Sequence, residues 1–157
     1  MLFSSIPGLQ DVKEKILQAV KNNHLAHALL FHGPEGSANL KMALALSTYL
    51  HCQNPQEEDA CGQCPSCLKM AKLVHPDLNF ALPIPSVNKK KEDEDEEKEN
   101  KVDFTASFRN FALNTPYGNI SDWIYHNDID KKQLNISRAA AKTILNTISL
   151  KSFEGGY

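Results

Sequence analysis

Residues 28–40 read ALLFHGPEGSANL and decide the fold class. Residues 28–32 form a short continuous apolar run, which is typical of a strand buried on both faces of a parallel sheet. A glycine-containing loop follows, and residues 40–50 are rich in Ala, Leu and Met, which predicts a buried helix. Strand, loop and helix in this order begin an α/β unit. The sequence therefore predicts an α/β fold with a parallel sheet.

The flanking segments carry further helical and strand patterns. Val12, Ile16 and Val20 recur at helical spacing and predict one apolar stripe on a helix. Residues 78–82 predict a second strand, which ends at Pro83. Two strands are too few for a stable sheet, so either the sheet is incomplete or the patterns miss strands. The other predicted helices are residues 67–73, a short amphipathic helix with Phe104, Phe108 and Phe111 on one face, a turn capped by Ser121, and residues 138–150 capped by Ser137.

The loop after the first strand lacks the side chains of a phosphate-binding loop. That loop, G-x-x-x-x-G-K-[ST], needs its lysine to reach the phosphates and its hydroxyl to hold Mg²⁺. Counted from Gly33, the second glycine is replaced by Ala38, although Gly36 lies between them. Asn39 stands at the lysine position and Leu40 at the hydroxyl position. We therefore expect neither ATP binding nor ATP hydrolysis by this chain, and a plain strand–helix turn explains the loop equally well.

Length and composition indicate a globular chain. The 157 residues are 41% hydrophobic and 23% charged, which fits one domain or a fragment of one. No apolar run reaches the 18 residues of a transmembrane helix, and the N-terminus lacks the pattern of a secretory signal. We expect a cytoplasmic location and no membrane partner.

The net charge of −2 lies in one segment. Residues 89–101 hold five lysines and seven acidic residues, so the remainder of the chain is neutral. This composition predicts disorder over residues 88–101, because it offers no apolar surface to bury. A neutral remainder also argues against general attraction to DNA or to an anionic membrane.

The four cysteines have the spacing of a metal site. Cys52, Cys61, Cys64 and Cys67 form C-x8-C-x2-C-x2-C. A C-x2-C step curls the backbone so that two thiolates reach one ion, and four thiolates are the closed tetrahedral set of structural zinc. We therefore predict a structural zinc module over residues 51–76.

Other interpretations of the cysteines are weaker. Space-filling cysteines would not need this strict spacing in a polar stretch, and an iron–sulfur run places its fourth cysteine downstream rather than upstream. His51 and His75 flank the cluster and could replace one thiolate, although four sulfurs suffice. A small zinc-ribbon that binds nucleic acid is disfavoured by the neutral charge and the few aromatic residues nearby.

Several of these motifs together resemble the clamp-loader subunits of bacterial DNA polymerase III. Residues 22–36 resemble the start of these subunits, which carry a similar "HALLF-GPEG" strand and loop. In that family a cysteine-rich zinc module and then "HPD" follow, as at residues 75–77 here. Residues 144–157 resemble the helix and loop before the family's Walker B strand. The resemblance covers residues 1–83 and roughly 135–157, which leaves residues 84–134 as an insertion that contains the charged run.

The resemblance implies a fold and a function. The fold would be the RecA-like, three-layer AAA+ module, of which residues 1–157 would be an N-terminal part with an incomplete parallel sheet. In this family the gamma/tau subunits hydrolyse ATP, whereas delta-prime subunits commonly have a ruined phosphate loop and act as a stator. Ala38, Asn39 and Leu40 match the second kind.

The resemblance also implies partners. A delta-prime-like chain would contact the gamma/tau and delta subunits and act on the sliding clamp and DNA indirectly, as a non-catalytic component of the DNA polymerase III holoenzyme. The alternative is an ATP-hydrolysing subunit of the gamma/tau kind. The family's arginine finger lies beyond Walker B, so neither Arg109 nor Arg138 is assigned to it.

Overall fold

The computed structural model describes residues 1–85, 103–129, 133–148 and 152. The predicted disorder of residues 88–101, residues 149–150 of the predicted last helix and the loop predicted at residues 154–157 lie outside this part of the chain. Among the described helices, none is long and apolar enough to cross a membrane. After a short 3₁₀ turn at Phe3–Ser5, the elements are α1 (Gln10–Lys21), α2 (Asn39–Leu50), α3 (Pro65–Ala71), β1 (Ile84–Pro85), α4 (Phe104–Asn114), α5 (Ile120–His126), β2 (Leu134–Asn135) and α6 (Arg138–Ile148).

Helix α2 is the central element, as its Ala- and Leu-rich sequence predicts. Ala45 is fully buried and lies in a core that also contains Phe3, Ile6 and Leu17. On its other side, Leu44 joins a second buried cluster with residues from the chain beyond α3. A helix that is apolar almost all round is stable only when neighbours cover it on several sides.

Helix α1 forms where predicted, and Ile16 and Val20 of its predicted stripe pack against the first core, but Val12 does not. Val12 is 43% exposed, whereas Leu17 is buried together with the stem of Lys13. The Lys13 ammonium donates a 2.5 Å hydrogen bond to the Ile6 carbonyl, so its charge has a partner at the edge of the core. The methylene groups of a lysine can cover apolar surface while its ammonium group bonds to an acceptor. The spacing of apolar residues in the sequence does not predict this arrangement.

The predicted parallel sheet is wrong for the part of the chain that the structure describes. Residues 28–32 and 78–82 are not strands. The strands described are β1 and β2, and they pair antiparallel. A strand exists only where a neighbour supplies ladder hydrogen bonds, and no described segment supplies them to residues 28–32, where Leu30 is 89% exposed. Leu78 and Phe80 instead pack beside Leu44.

Helices α4 and α5 join through aromatic rings. The ring centres of Phe108 and Phe111 lie 5.8 and 5.4 Å from the ring centre of Trp123, and both rings meet it edge to face. The indole N–H of Trp123 donates to the Pro83 carbonyl at 2.9 Å, so its buried polar atom is satisfied. The prediction that the phenylalanine stripe is a packing face is therefore confirmed.

The caps of the later helices differ in how well the sequence predicted them. Ser137 accepts a hydrogen bond from the Ala140 N–H, which confirms it at the start of α6. The cap of α5 is Asn119, not Ser121, because the Asn119 side chain accepts from two backbone N–H groups while Asp122 bonds back to the Asn119 N–H. This reciprocal capping box stabilises the first turn more than a serine within the helix does.

Candidate metal centre

The four cysteines meet at one point. Cys52 follows the end of α2, Cys61 and Cys64 lie on the loop, and Cys67 lies in the first turn of α3. Their sulfur atoms all lie within 4.8 Å of one another, and Cys61 Sγ is 3.9 Å from Cys67 Sγ. All four are free thiols. The spacing predicted this convergence correctly.

Backbone N–H groups surround the sulfur atoms. The Cys61 N–H donates to Cys52 Sγ at 3.3 Å, and the N–H groups of Cys64 and Cys67 donate at 3.4 Å to the sulfurs three positions earlier. Gly62 has φ +69°, in the left-handed region, which lets the loop turn tightly between the cysteines. N–H donors directed at sulfur stabilise the thiolate, which is the form that binds metal.

The same contacts divide the thiols into two pairs by pKa. Hydrogen bonds from the backbone of Gln63 and Cys64 lower the pKa of Cys61 to about 6. Burial raises the pKa of Cys64, but backbone hydrogen bonds outweigh it and the net shift is downward. Burial raises the pKa of Cys52 and of Cys67. A bound cation would deprotonate this second pair, because its charge favours the thiolate.

Asp59 fastens the cysteine loop to the N-terminus, and the sequence analysis missed it. Its carboxylate accepts from the N–H groups of Phe3, Ser4 and Ala60 at 3.0, 2.8 and 2.8 Å. Phe3 is 1% exposed, so the loop is held against the first core rather than projecting into solvent. A single aspartate in a polar stretch of sequence does not predict hydrogen bonds to Phe3 and Ser4, more than 50 residues away.

The donor set fits a closed metal site. Four sulfurs around Zn²⁺ at about 2.3 Å would stand about 3.8 Å apart in a tetrahedron, and the Cys61–Cys67 separation is 3.9 Å. His51 and His75 do not belong to this group, since they converge with Asp77 in a separate cluster. The prediction that four sulfurs suffice without a histidine is consistent with this arrangement.

The loop at residues 33–37 does not present phosphate-binding side chains. Ala38 is buried in the first core, and Leu40 packs against the second. Asn39 is the first residue of α2, and a β-carbon on Gly33 would lie 2.9 Å from its Oδ1. Gly36 adopts φ +78° and serves the turn. A cavity of about 310 Å³ adjoins the loop, and no lysine or arginine is among the residues that line it.

Lys41, the lysine nearest to the loop in the sequence, bonds to groups outside the loop. Its ammonium donates to the Ser5 carbonyl at 2.7 Å and to the Tyr117 hydroxyl at 3.3 Å. It also lies 5.0 Å from the centre of the Tyr117 ring, in a cation–π contact. The Lys41 ammonium is therefore held by Ser5 and Tyr117, neither of which belongs to the loop.

Comparison with known proteins assigns the chain to a family. The family profile described as DNA polymerase III, delta subunit, matches residues 8–157. The chain belongs to this family. The resemblance to the clamp-loader subunits is thereby confirmed, and no solved structure matches the chain significantly.

The matched part of the chain spans about a fifth or less of the length of these relatives. The delta' subunit of DNA polymerase III from Escherichia coli K12 is 37% identical over 71 residues, which are 45% of this chain and 21% of the relative. The delta' subunit from Yersinia pestis is 45% identical over 51 residues, 32% of this chain and 15% of the relative. A gamma/tau subunit from Mycobacterium tuberculosis H37Rv is 30% identical over 69 residues, 44% of this chain and 12% of the relative.

Proposed function

We propose that this chain is part of a non-catalytic, delta'-type subunit of a DNA polymerase III clamp loader, which helps load the sliding clamp during DNA replication. Family membership supports the setting. The observation that carries the proposal is the loop: Ala38 is buried, Leu40 packs in the core, and Lys41 bonds to Ser5. Of the residues that the structure describes, no lysine or arginine lines the cavity beside the loop to neutralise a triphosphate, and Leu40 offers no hydroxyl at the Mg²⁺ position.

The proposed role includes a structural zinc ion held by Cys52, Cys61, Cys64 and Cys67. When bound, zinc supplies a rigid cross-link and no reaction chemistry, because the four sulfurs would fill its coordination positions. The cysteine loop would then be fixed to the end of α2 and the start of α3, beside the first core. A rigid module of this kind suits a subunit whose task is to hold partners in place.

The remaining parts of the proposal follow from the family. Residues 1–157 would be part of a RecA-like AAA+ module with the zinc module at 51–76 and an insertion at 84–134. The partners would be the gamma/tau and delta subunits, with the sliding clamp and DNA reached through them, in the cytoplasm. The ATP-hydrolysing alternative is not favoured, since the gamma/tau relative is less similar than the delta' relatives.

Nucleotide titration and reconstitution test the proposal together. The zinc-loaded chain is titrated with ATP and Mg²⁺, with a gamma/tau subunit of the same organism as the positive control. We expect saturable binding by the control alone, and co-elution of this protein with gamma/tau and delta in size-exclusion chromatography. Saturable, Mg²⁺-dependent ATP binding by this chain would contradict the non-catalytic assignment, and failure to co-elute would contradict the clamp-loader role.

A further inference from the structure

A second cluster of potential metal ligands lies beside the cysteine centre and shares no residue with it. His51, His75 and Asp77 each offer one ligand atom, and these atoms all lie within 4.8 Å of one another. The two imidazole rings are 4.7 Å apart between centres, tilted by 60°. His51 directly follows α2, whereas His75 and Asp77 follow α3, so two separate segments bring the three groups together.

The surroundings of His51 fix it in a form that can bind a metal. Its Nδ1 lies 2.9 Å from the Ser47 carbonyl, which can only accept a hydrogen bond. Nδ1 therefore carries the proton, which leaves the lone pair on Nε2. Histidines that bind metals commonly donate their other ring N–H to a backbone carbonyl in this way, because the bond fixes both the tautomer and the orientation of the ring.

The other two members are also held in position. His75 is 3% exposed, and its Nδ1 accepts a long hydrogen bond from the Asp77 N–H at 3.3 Å. The lone pair of the neutral His75 ring therefore lies on Nδ1, and a metal ion bound there would replace this bond. An Asp77 carboxylate oxygen, Oδ2, accepts from the Ser152 hydroxyl at 3.0 Å. A hydrogen-bonded carboxylate beside two imidazoles is a preorganised set of donors, since little side-chain freedom remains to be lost on binding.

We propose that His51, His75 and Asp77 form a second binding site for a divalent transition-metal ion of the zinc, nickel or cobalt class. Two imidazoles and one carboxylate suit these borderline ions, whereas Mg²⁺ and Ca²⁺ prefer oxygen donors alone. Metal–ligand bonds of about 2.1 Å place tetrahedral ligand atoms about 3.4 Å apart, so a pair at the present limit of 4.8 Å would close by up to about 1.4 Å. Three protein ligands leave a coordination position for water, so this site is open, in contrast to the four-sulfur site.

Cobalt titration of the metal-stripped, reduced chain tests the site. Co²⁺ bound by thiolates gives intense charge-transfer absorption, while Co²⁺ on imidazole and carboxylate gives only weak visible bands. We expect the thiolate absorption to saturate with the first equivalent of Co²⁺ and a further equivalent to bind without increasing it. Binding of a single equivalent would overturn the proposal, because the chain would then have no second site.

Substitutions locate the second ion. We expect His51→Gln and Asp77→Asn each to weaken its binding by at least about 100-fold, the upper end of what losing an outer-shell partner costs. The matched control is His24→Gln, which removes an exposed histidine elsewhere and should leave both equivalents. Retained thiolate absorption shows that each variant is folded around the cysteines. Unchanged affinity for the second ion in His51→Gln or Asp77→Asn would overturn the assignment.

Two positions are substituted so that the test still works if one of the variants does not fold. If His51→Gln loses the thiolate absorption, Asp77→Asn alone decides the assignment. The site does not rest on the proposed clamp-loader function. Its test uses metal binding only, so its failure leaves the nucleotide and reconstitution results unaffected.

Discussion

The cysteine loop and the aromatic helix pair are held together in different ways. Around the loop, N–H groups bond to three of the sulfurs and to the carboxylate of Asp59, and Cys67 alone of the four cysteines is buried. Between α4 and α5, Phe111 and Trp123 are 4% and 3% exposed and pack edge to face. In the proposed zinc site the first region would need an ion to complete it, whereas the second is complete through burial of apolar rings. Metal and packing should therefore be separable experimentally.

Loss of the metal should have the largest effect. We expect Cys61→Ser to lower the free energy of unfolding by at least about 5 kcal/mol, a fraction of the roughly 10–16 kcal/mol of zinc binding in small zinc modules. The comparison becomes sharper if emission from Trp123, the single tryptophan, is unchanged below the transition. Urea unfolding followed by circular dichroism and fluorescence measures both quantities.

The control for that substitution is the wild-type chain in a strong chelator. Stripped wild type and Cys61→Ser should then have the same stability, because neither can hold the ion. A variant that is as stable as the zinc-loaded wild type would break the distinction between the two regions.

Truncation of the tryptophan should have the next largest effect. Trp123→Ala removes a buried ring and its hydrogen bond to Pro83, and we expect a loss of about 3–5 kcal/mol in urea unfolding. Zinc content should stay unchanged. The matched control is Tyr125→Ala, two positions away and 89% exposed, for which the change should stay within about 0.5 kcal/mol. Zinc loss in Trp123→Ala would show that the two regions are not separable.

Asp59 is the point where the loop depends on an ordinary hydrogen-bond acceptor. Asp59→Asn keeps one acceptor oxygen but turns an amide group toward a backbone N–H, so we expect a loss of about 1.5–3 kcal/mol and faster zinc extraction by a chelator. Glu58→Gln, an exposed neighbour, is the control and should change neither quantity. Equal extraction rates in both variants would mean that Asp59 does not fasten the loop.

The smallest effect concerns the capping of α5. Asn119→Ala should cost about 1 kcal/mol, because two backbone N–H groups lose their acceptor. Ser121→Ala should change stability by less than about 0.5 kcal/mol. Thermal unfolding of the two variants distinguishes the Asn119 cap seen in the structure from the Ser121 cap predicted from the sequence. A larger loss in Ser121→Ala than in Asn119→Ala would refute the Asn119 cap.

The sequence predicted the parts of the molecule that depend on local pattern. The spacing of the cysteines fixes their convergence, since a C-x2-C step can close only in a tight turn. The Ala- and Leu-rich composition of α2 predicted a buried helix, and the spacing of Phe104, Phe108 and Phe111 predicted a helix that packs through these rings. These features need no knowledge of distant partners.

The parts that failed depend on partners far along the chain. An apolar run such as residues 28–32 becomes a strand only if another segment pairs with it, and the local sequence does not show whether such a segment is present. Asp59 and the convergence of His51 with Asp77 were missed for the same reason, because their partners lie tens of residues away. Asn119 was missed because Asn119 and Ser121 are both common capping residues, and only geometry chooses between them.

X-ray absorption at the zinc edge tests the central claim, that the four cysteines form one closed metal site, most directly. The chain is loaded with a single equivalent of Zn²⁺, so that the sulfur site is filled first. We predict four sulfur neighbours at about 2.3 Å and no lighter atom in the first shell. Nitrogen or oxygen neighbours at about 2.0–2.1 Å, or fewer than four sulfurs, would contradict the account.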